Sequence, residues 1–218
     1  VDGHEPDFLL TEIHRQAQDN PILHLASLVR EGKSLTPGDY GDSRVVKSRD
    51  LEPGSSLTHE QVLVGKNATR RLTNRRFRES LGKEGPWPVE GEKLICLRNN
   101  HDLGLLNGSL WKTVATTPGP EDGRLLLTIE GLGGEAELST EAHEFHFLGH
   151  SPEAMPWWER CEADEFDYGY AITVHKSQGS QWDNVMVIDE WWQRDTRARW
   201  LYTAVTRAAK RLTLVQMT

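Results

Sequence analysis

Cysteine is nearly absent from these 218 residues: only Cys96 and Cys161 occur, far apart and in no metal-ligand spacing. That excludes a disulfide framework and a zinc ribbon. Long apolar runs are missing as well. No stretch approaches the roughly 20 residues of a membrane-spanning helix, and the N-terminus lacks the basic-then-apolar order of a secretory signal. No membrane partner is expected, and a cytoplasmic location is the default. Excess positive charge is also lacking: 33 Asp and Glu outweigh 25 Lys and Arg, for a net charge of -8. General electrostatic attraction to nucleic acid is therefore excluded, and any such contact must be local. There is no internal repeat and no low-complexity tract. His143, His146 and His150 fall close together, but in a predicted strand with no Cys or carboxylate at ligand spacing, so no metal is assigned to them. The chain begins with Val1 instead of Met, which suggests a piece of something longer.

What is present divides into two textures. Residues 7 to 14 read as a short strand. Asn20-Pro21 opens a helix, because Pro loses no hydrogen bond at the first helical position. Ile22, Leu25, Ala26 and Val29 then share one face, and Gly32 supplies the stop. A weak strand is expected at Arg44 to Lys47. Gln61-Val-Leu-Val-Gly65 suits a buried parallel strand. Residues 66 to 78 carry six cations and no acid; a helix is expected there, with Leu72, Phe77 and Leu81 inward and Gly82 at its end. Asn67 and Thr69 lie at its start, where free N-H groups attract phosphate, unless the cations only form a solvated face.

Composition changes at Gly85-Pro-Trp-Pro88. Strands expected at Lys93 to Arg98, Leu110 to Thr117, Arg124 to Glu130 and Glu135 to Phe147, separated by turn residues, indicate a small antiparallel barrel. An acidic connector follows, and then the apolar-run texture returns: Tyr170 to Val174, Asn184 to Asp189, a helix over Arg197 to Ala209, and Arg211 to Gln216. The fold class expected is α/β, a parallel-sheet domain interrupted by a β-barrel. Its boundaries are 1–86 with 165–218 for the sheet domain, 87–148 for the insert and 149–164 for the connector. Trp157-Trp158 and Trp191-Trp192 are read as packing at the junctions.

Two segments carry chemistry. Thr173-Val-His-Lys-Ser-Gln-Gly179 puts polar groups at the carboxyl edge of a sheet, where open α/β sheets bind ligands. Tyr202-Thr-Ala-Val-Thr-Arg-Ala208 places Arg207 near a helix end, where a planar, permanently charged fork can reach a phosphate. In this order and spacing the two segments resemble motifs V and VI of superfamily 1 DNA helicases, most closely the RecD-like and Dda-like branch. Leu10-Thr-Glu-Ile-His-Arg15-Gln16 is similar to motif IV of the same branch.

The resemblance implies a RecA-like second motor domain of the UvrD C-terminal type with an inserted SH3-like barrel. It gives Arg15 and Arg207 the role of arginine fingers on ATP, and places Gln178, Gly179 and Gln181 beside the nucleotide. Relatives often have Glu where Gln181 stands, so that contact is expected to be weaker. Thr173, His175 and Lys176, with Asn67, Thr69 and Arg70, would meet single-stranded DNA. No Gly-x4-Gly-Lys-Ser/Thr loop exists, and Asp189-Glu190 is out of context for a Mg²⁺ dyad. ATP and Mg²⁺ would thus be bound mainly by an N-terminal RecA-like domain preceding Val1, making this chain the non-catalytic half of a DNA helicase. The alternative is a degenerate helicase-like module that binds nucleic acid or protein without hydrolysis.

Overall fold

The computed structural model describes residues 20–134, 136–150, 155–191 and 193–217. The strand expected at residues 7 to 14, and Arg15 with it, lies outside them. In chain order the elements are α1 (Pro21–Arg30), β1 (Gly38–Tyr40), β2 (Ser43–Lys47), β3 (Gln61–Val64), α2 (Asn67–Ser80), β4 (Lys93–Cys96), β5 (Leu110–Pro118), β6 (Arg124–Gly131), β7 (Leu138–His143), α3 (Trp157–Arg160), β8 (Phe166–Tyr168), β9 (Ala171–Thr173), β10 (Trp182–Asp189), α4 (Arg194–Val205) and β11 (Ala208–Gln216). The chain is mixed α/β with a parallel sheet, and it divides into two compact units. One comprises the residues up to Lys66 together with Thr173–Thr218; the other is Asn67–Ile172.

The first unit is built on parallel pairing. β10 lies between β11 and β3, with Val185 opposite Gln61 and Val187 opposite Leu63; β11 pairs in parallel with β2, and β1 adds an antiparallel edge. All four residues of β3 are buried, as are Val185, Met186 and Val187, the continuous apolar texture of a sheet covered on both faces. Helix α1 forms where the local signals place it. Asn20 Oδ1 accepts from the backbone N-H of Ile22 at 2.9 Å and of Leu23 at 3.3 Å, and Ile22, Leu25, Ala26 and Val29 are the buried residues.

The second unit is an antiparallel sheet in the order β7-β6-β5-β4-β8. Its two ends meet at Asp164: the Asp164 N-H donates to the Glu141 carbonyl and the His143 N-H to the Asp164 carbonyl, each at 2.9 Å, just before the chain enters β8. Leu94, Trp111, Leu125, Leu127, Ile129 and Phe166 fill the core.

Several local expectations change. Leu72 is 37% and Leu81 48% exposed, so neither points inward. Phe77 is buried as expected, and it shares the buried side of α2 with Asn74 and Arg78. Asn74 bonds the carbonyls of Tyr168 and Ala171 and the N-H of Ala171; Arg78 grips both oxygens of Glu92, which is wholly buried, and lies 4.4 Å over the Tyr168 ring. The Asn74 bonds join α2 to the backbone around β8, and the Arg78 pair joins it to the segment before β4. The strand expected at Glu135 to Phe147 is also shorter, Leu138–His143, and α4 ends at Val205, which leaves Arg207 in the turn before β11. Trp157 and Trp158 are 71% and 63% exposed, contrary to a packing role. No helix among the described residues is long and apolar enough to cross a membrane.

Candidate functional site

At the end of β9 the chain makes a short 3-10 turn, Val174–Ser177, pinned by the buried Ser177 hydroxyl donating to the Val174 carbonyl at 2.7 Å. Pinning Val174 and Ser177 inward turns the intervening residues out: His175 is exposed and Lys176 half-buried, with Thr173 half-buried just before them. The loop that follows exposes Gln178, Gly179 and Gln181. Gly179 has φ +86° with no atom within 4 Å of where a Cβ would sit, so it is the left-handed backbone that requires glycine here, not lack of space. The turn delivers the chain into β10, where the Trp182 N-H donates to the Arg207 carbonyl at 3.0 Å.

That bond joins the loop to Arg207. The Arg207 guanidinium donates from Nε to the Thr203 carbonyl at 3.1 Å, from Nη1 to the Ser180 carbonyl at 3.0 Å and from Nη2 to the Thr206 hydroxyl at 3.3 Å. Three of a guanidinium's five N-H groups are thereby used, and one on each terminal nitrogen remains for an anion. The structure brings Arg207 and the Gln178 to Gln181 loop together although they lie far apart in sequence.

Residues to which sequence reading gave no part in this site adjoin the same edge of the sheet, Trp191 among them in the packing role expected of it. Glu190 Oε1 accepts from the backbone N-H of Gly65 at 3.0 Å and of Lys66 at 2.8 Å, tying the end of β3 to the end of β10. Trp191 stacks on Trp200 with centroids 5.4 Å apart and planes 14° from parallel, and the His175 ring lies 5.4 Å from that of Trp191. Asp189 is paired with Arg197, yet burial raises its carboxyl above the ordinary range against that pairing, and its Oδ1 has no partner among the described residues. Acid residues directly after a buried strand were the available signal.

Asn67, Thr69 and Arg70 belong to the other compact unit. Arg70 Nη1 lies 2.5 Å from Asp167 Oδ2, with side chains 13% and 7% exposed, and its Nε donates to Asn67 Oδ1 at 3.2 Å. This arginine is part of the packing between α2 and β8. The exposed cations Arg71 and Arg75 instead line an open groove of about 500 Å³, together with Leu72, Leu148 and Gly149. His146 bonds Glu165 at 2.8 Å and the His143 ring the Arg160 carbonyl at 3.3 Å, and among the described residues no three His, Cys, Asp or Glu converge as a metal site.

Residues 168–215, which contain the whole loop and Arg207, match the UvrD-like helicase C-terminal domain family. The ATP-dependent RecD2 DNA helicase of Deinococcus radiodurans is 26% identical over 230 aligned residues, covering 94% of this chain and 28% of that protein. The similarity thus runs to helicases of the RecD kind, over most of this chain. The RecBCD enzyme subunit RecD of Mycobacterium tuberculosis is 31% identical to it over 150 residues, which are 65% of this chain and 21% of that subunit. The chain spans about a quarter of the length of these curated relatives. In fold it resembles the crystal structure of Pif1 helicase from Candida albicans, with a TM-score of 0.53 at 16% identity over 88% of this chain and 52% of that one.

Proposed function

We propose that this chain is the C-terminal motor half of an ATP-dependent DNA helicase, acting beside an N-terminal RecA-like domain of the same polypeptide. In this reading the parallel-sheet unit is the second RecA-like domain and the antiparallel unit an SH3-like barrel inserted into it. One observation carries the proposal: Arg207, distant in sequence from the Gln178 to Gln181 loop, is tied to it by a hydrogen bond to the Ser180 carbonyl and braced by two more to Thr203 and Thr206. A tethered guanidinium is preorganised to meet a γ-phosphate presented by another domain. Arg15 is the proposed second finger, and Gln178, Gly179 and Gln181 the groups beside the nucleotide. Thr173, His175 and Lys176 would meet single-stranded DNA, as would Asn67 and Thr69 at the start of α2. Arg70 would serve there by holding that helix in place.

The residues of this chain do not fit the rest of the chemistry. There is no phosphate loop in its sequence, and Asp189 is committed to Arg197. The phosphate cradle and any Mg²⁺ ligands would come from the N-terminal domain. ATP binding would close the cleft between domains and hydrolysis reopen it, moving DNA past alternating grips. The test compares the chain alone with the complete protein. The chain alone should hydrolyse no ATP above buffer, with or without single-stranded DNA, and the complete protein should hydrolyse it with stimulation by DNA. Turnover by the chain alone that Arg207→Ala abolishes would defeat the reading, and an inert complete protein would favour the non-hydrolysing module.

A further inference from the structure

The one-turn helix α3 presents Trp157 and Trp158, 71% and 63% exposed, the two most exposed large apolar side chains among the described residues. They sit on a firm base. Arg160, at the end of the same turn, bonds both carboxylate oxygens of the buried Glu165, at 2.9 and 2.7 Å from Nη2. The next residue, Cys161, donates its N-H back to the Trp157 carbonyl at 3.1 Å. Large aromatic residues held in place on a surface lose little entropy on binding, and such residues dominate protein interfaces.

Trp158 and Met155 form the apolar part of a groove of about 470 Å³. Its charged lining is Glu121, Asp122, Glu159 and Glu162 against a single cation, Arg124. That arginine is already paired with Glu121 at 2.9 Å and Glu162 at 2.6 Å. The rim is therefore net negative. A nucleic-acid strand, for which exposed tryptophans are otherwise a stacking platform, would bring its phosphates against these carboxylates, well inside the roughly 10 Å over which charges are felt in salt. A basic protein segment gains from both features, since Lys and Arg can lie on the tryptophan faces while their charges meet the acids.

We infer that Trp157, Trp158 and the adjoining acidic groove are a docking surface for a lysine- and arginine-bearing segment of a partner protein. The site shares no residue with the Arg207 loop and does not depend on ATP chemistry. It is tested with the full chain by fluorescence anisotropy, using a short labelled peptide rich in arginine and leucine, its glutamate counterpart, and labelled oligo-dT. The arginine peptide should bind and the glutamate peptide should not. The double variant Trp157→Ala/Trp158→Ala should weaken arginine-peptide binding about tenfold or more, and Glu159→Lys should weaken it with both tryptophans intact, while oligo-dT binding stays unchanged in both variants. Three results would overturn the inference: arginine-peptide binding indifferent to these substitutions, oligo-dT binding that depends on the tryptophans, or a self-association in light scattering that the double variant abolishes.

Discussion

Arg70 commits its guanidinium to Asp167 inside the packing of α2, whereas Arg71, one residue on, is exposed and lines the open groove. Sequence alone makes them equivalent, because both are cations near a helix start and only the distant Asp167 separates them. Their substitution should separate stability from binding. Arg70→Ala leaves a buried carboxylate unpaired and should cost about 3 to 5 kcal/mol in denaturant unfolding. Arg71→Ala should leave stability nearly unchanged but lower the salt slope of single-strand binding by somewhat under one unit. Equal effects on both measurements would show that the cations act as one diffuse patch. Glu165 gives a second residue-scale prediction. Burial would raise its carboxyl, but the hydrogen bonds from His146 and Arg160 outweigh burial and hold it at about 2, below the ordinary 4.5. A depressed carboxyl stabilises the fold fully above its unfolded pKa and loses that contribution as pH falls through the folded one. Thermal unfolding should therefore show a drop in midpoint between about pH 4.5 and 2 that Glu165→Gln flattens, the variant being the less stable protein at pH 7. An acid limb identical in the two proteins would contradict this assignment.

The elements differ in how far local sequence specifies them. Helix α1 was legible to its ends, because its cap, its Pro and its 3.6-residue apolar spacing are all local. β3 and β10 were legible from apolar runs of strand length. Helix α2 was legible in extent but not in orientation: its buried side is chosen by Glu92, Asp167 and the backbone at Tyr168 and Ala171, all distant in sequence, and these select Asn74 and Arg78 over Leu72. Asn74→Leu keeps the volume similar and raises local apolarity, so a helix packed by hydrophobicity would tolerate it. Here it orphans two carbonyls and an N-H, and should destabilise the chain by about 3 kcal/mol or more, while Leu72→Ala should change stability by well under about 1 kcal/mol. Chemical denaturation of the two variants checks the order, and a larger loss for Leu72→Ala would contradict this packing of α2. The exposed tryptophans of α3 were misread for a related reason. Apolar character predicts burial on average, and only the assembled surface shows which residues escape it.

At the scale of the whole molecule, the loop at residues 173 to 181 and Arg207 were legible as motifs, since their residue types and order are distinctive without any structure. Their adjacency was not, because it depends on parallel pairing of β10 with β11, which draws the turn after α4 against the start of β10. The polar anchors that join α2 to β8 leave no local trace in the sequence. The central claim is that Arg207 acts on a phosphate held by another domain. It is tested most directly by comparing ATP turnover and nucleotide affinity in the complete protein with Arg207→Ala and Arg207→Lys. Turnover should fall about 10³-fold or more in both variants, because lysine lacks the fork, with nucleotide binding changed far less and the fold intact. Parallel loss of binding, turnover and stability would show that Arg207 only braces the turn between α4 and β11, and would contradict the claim.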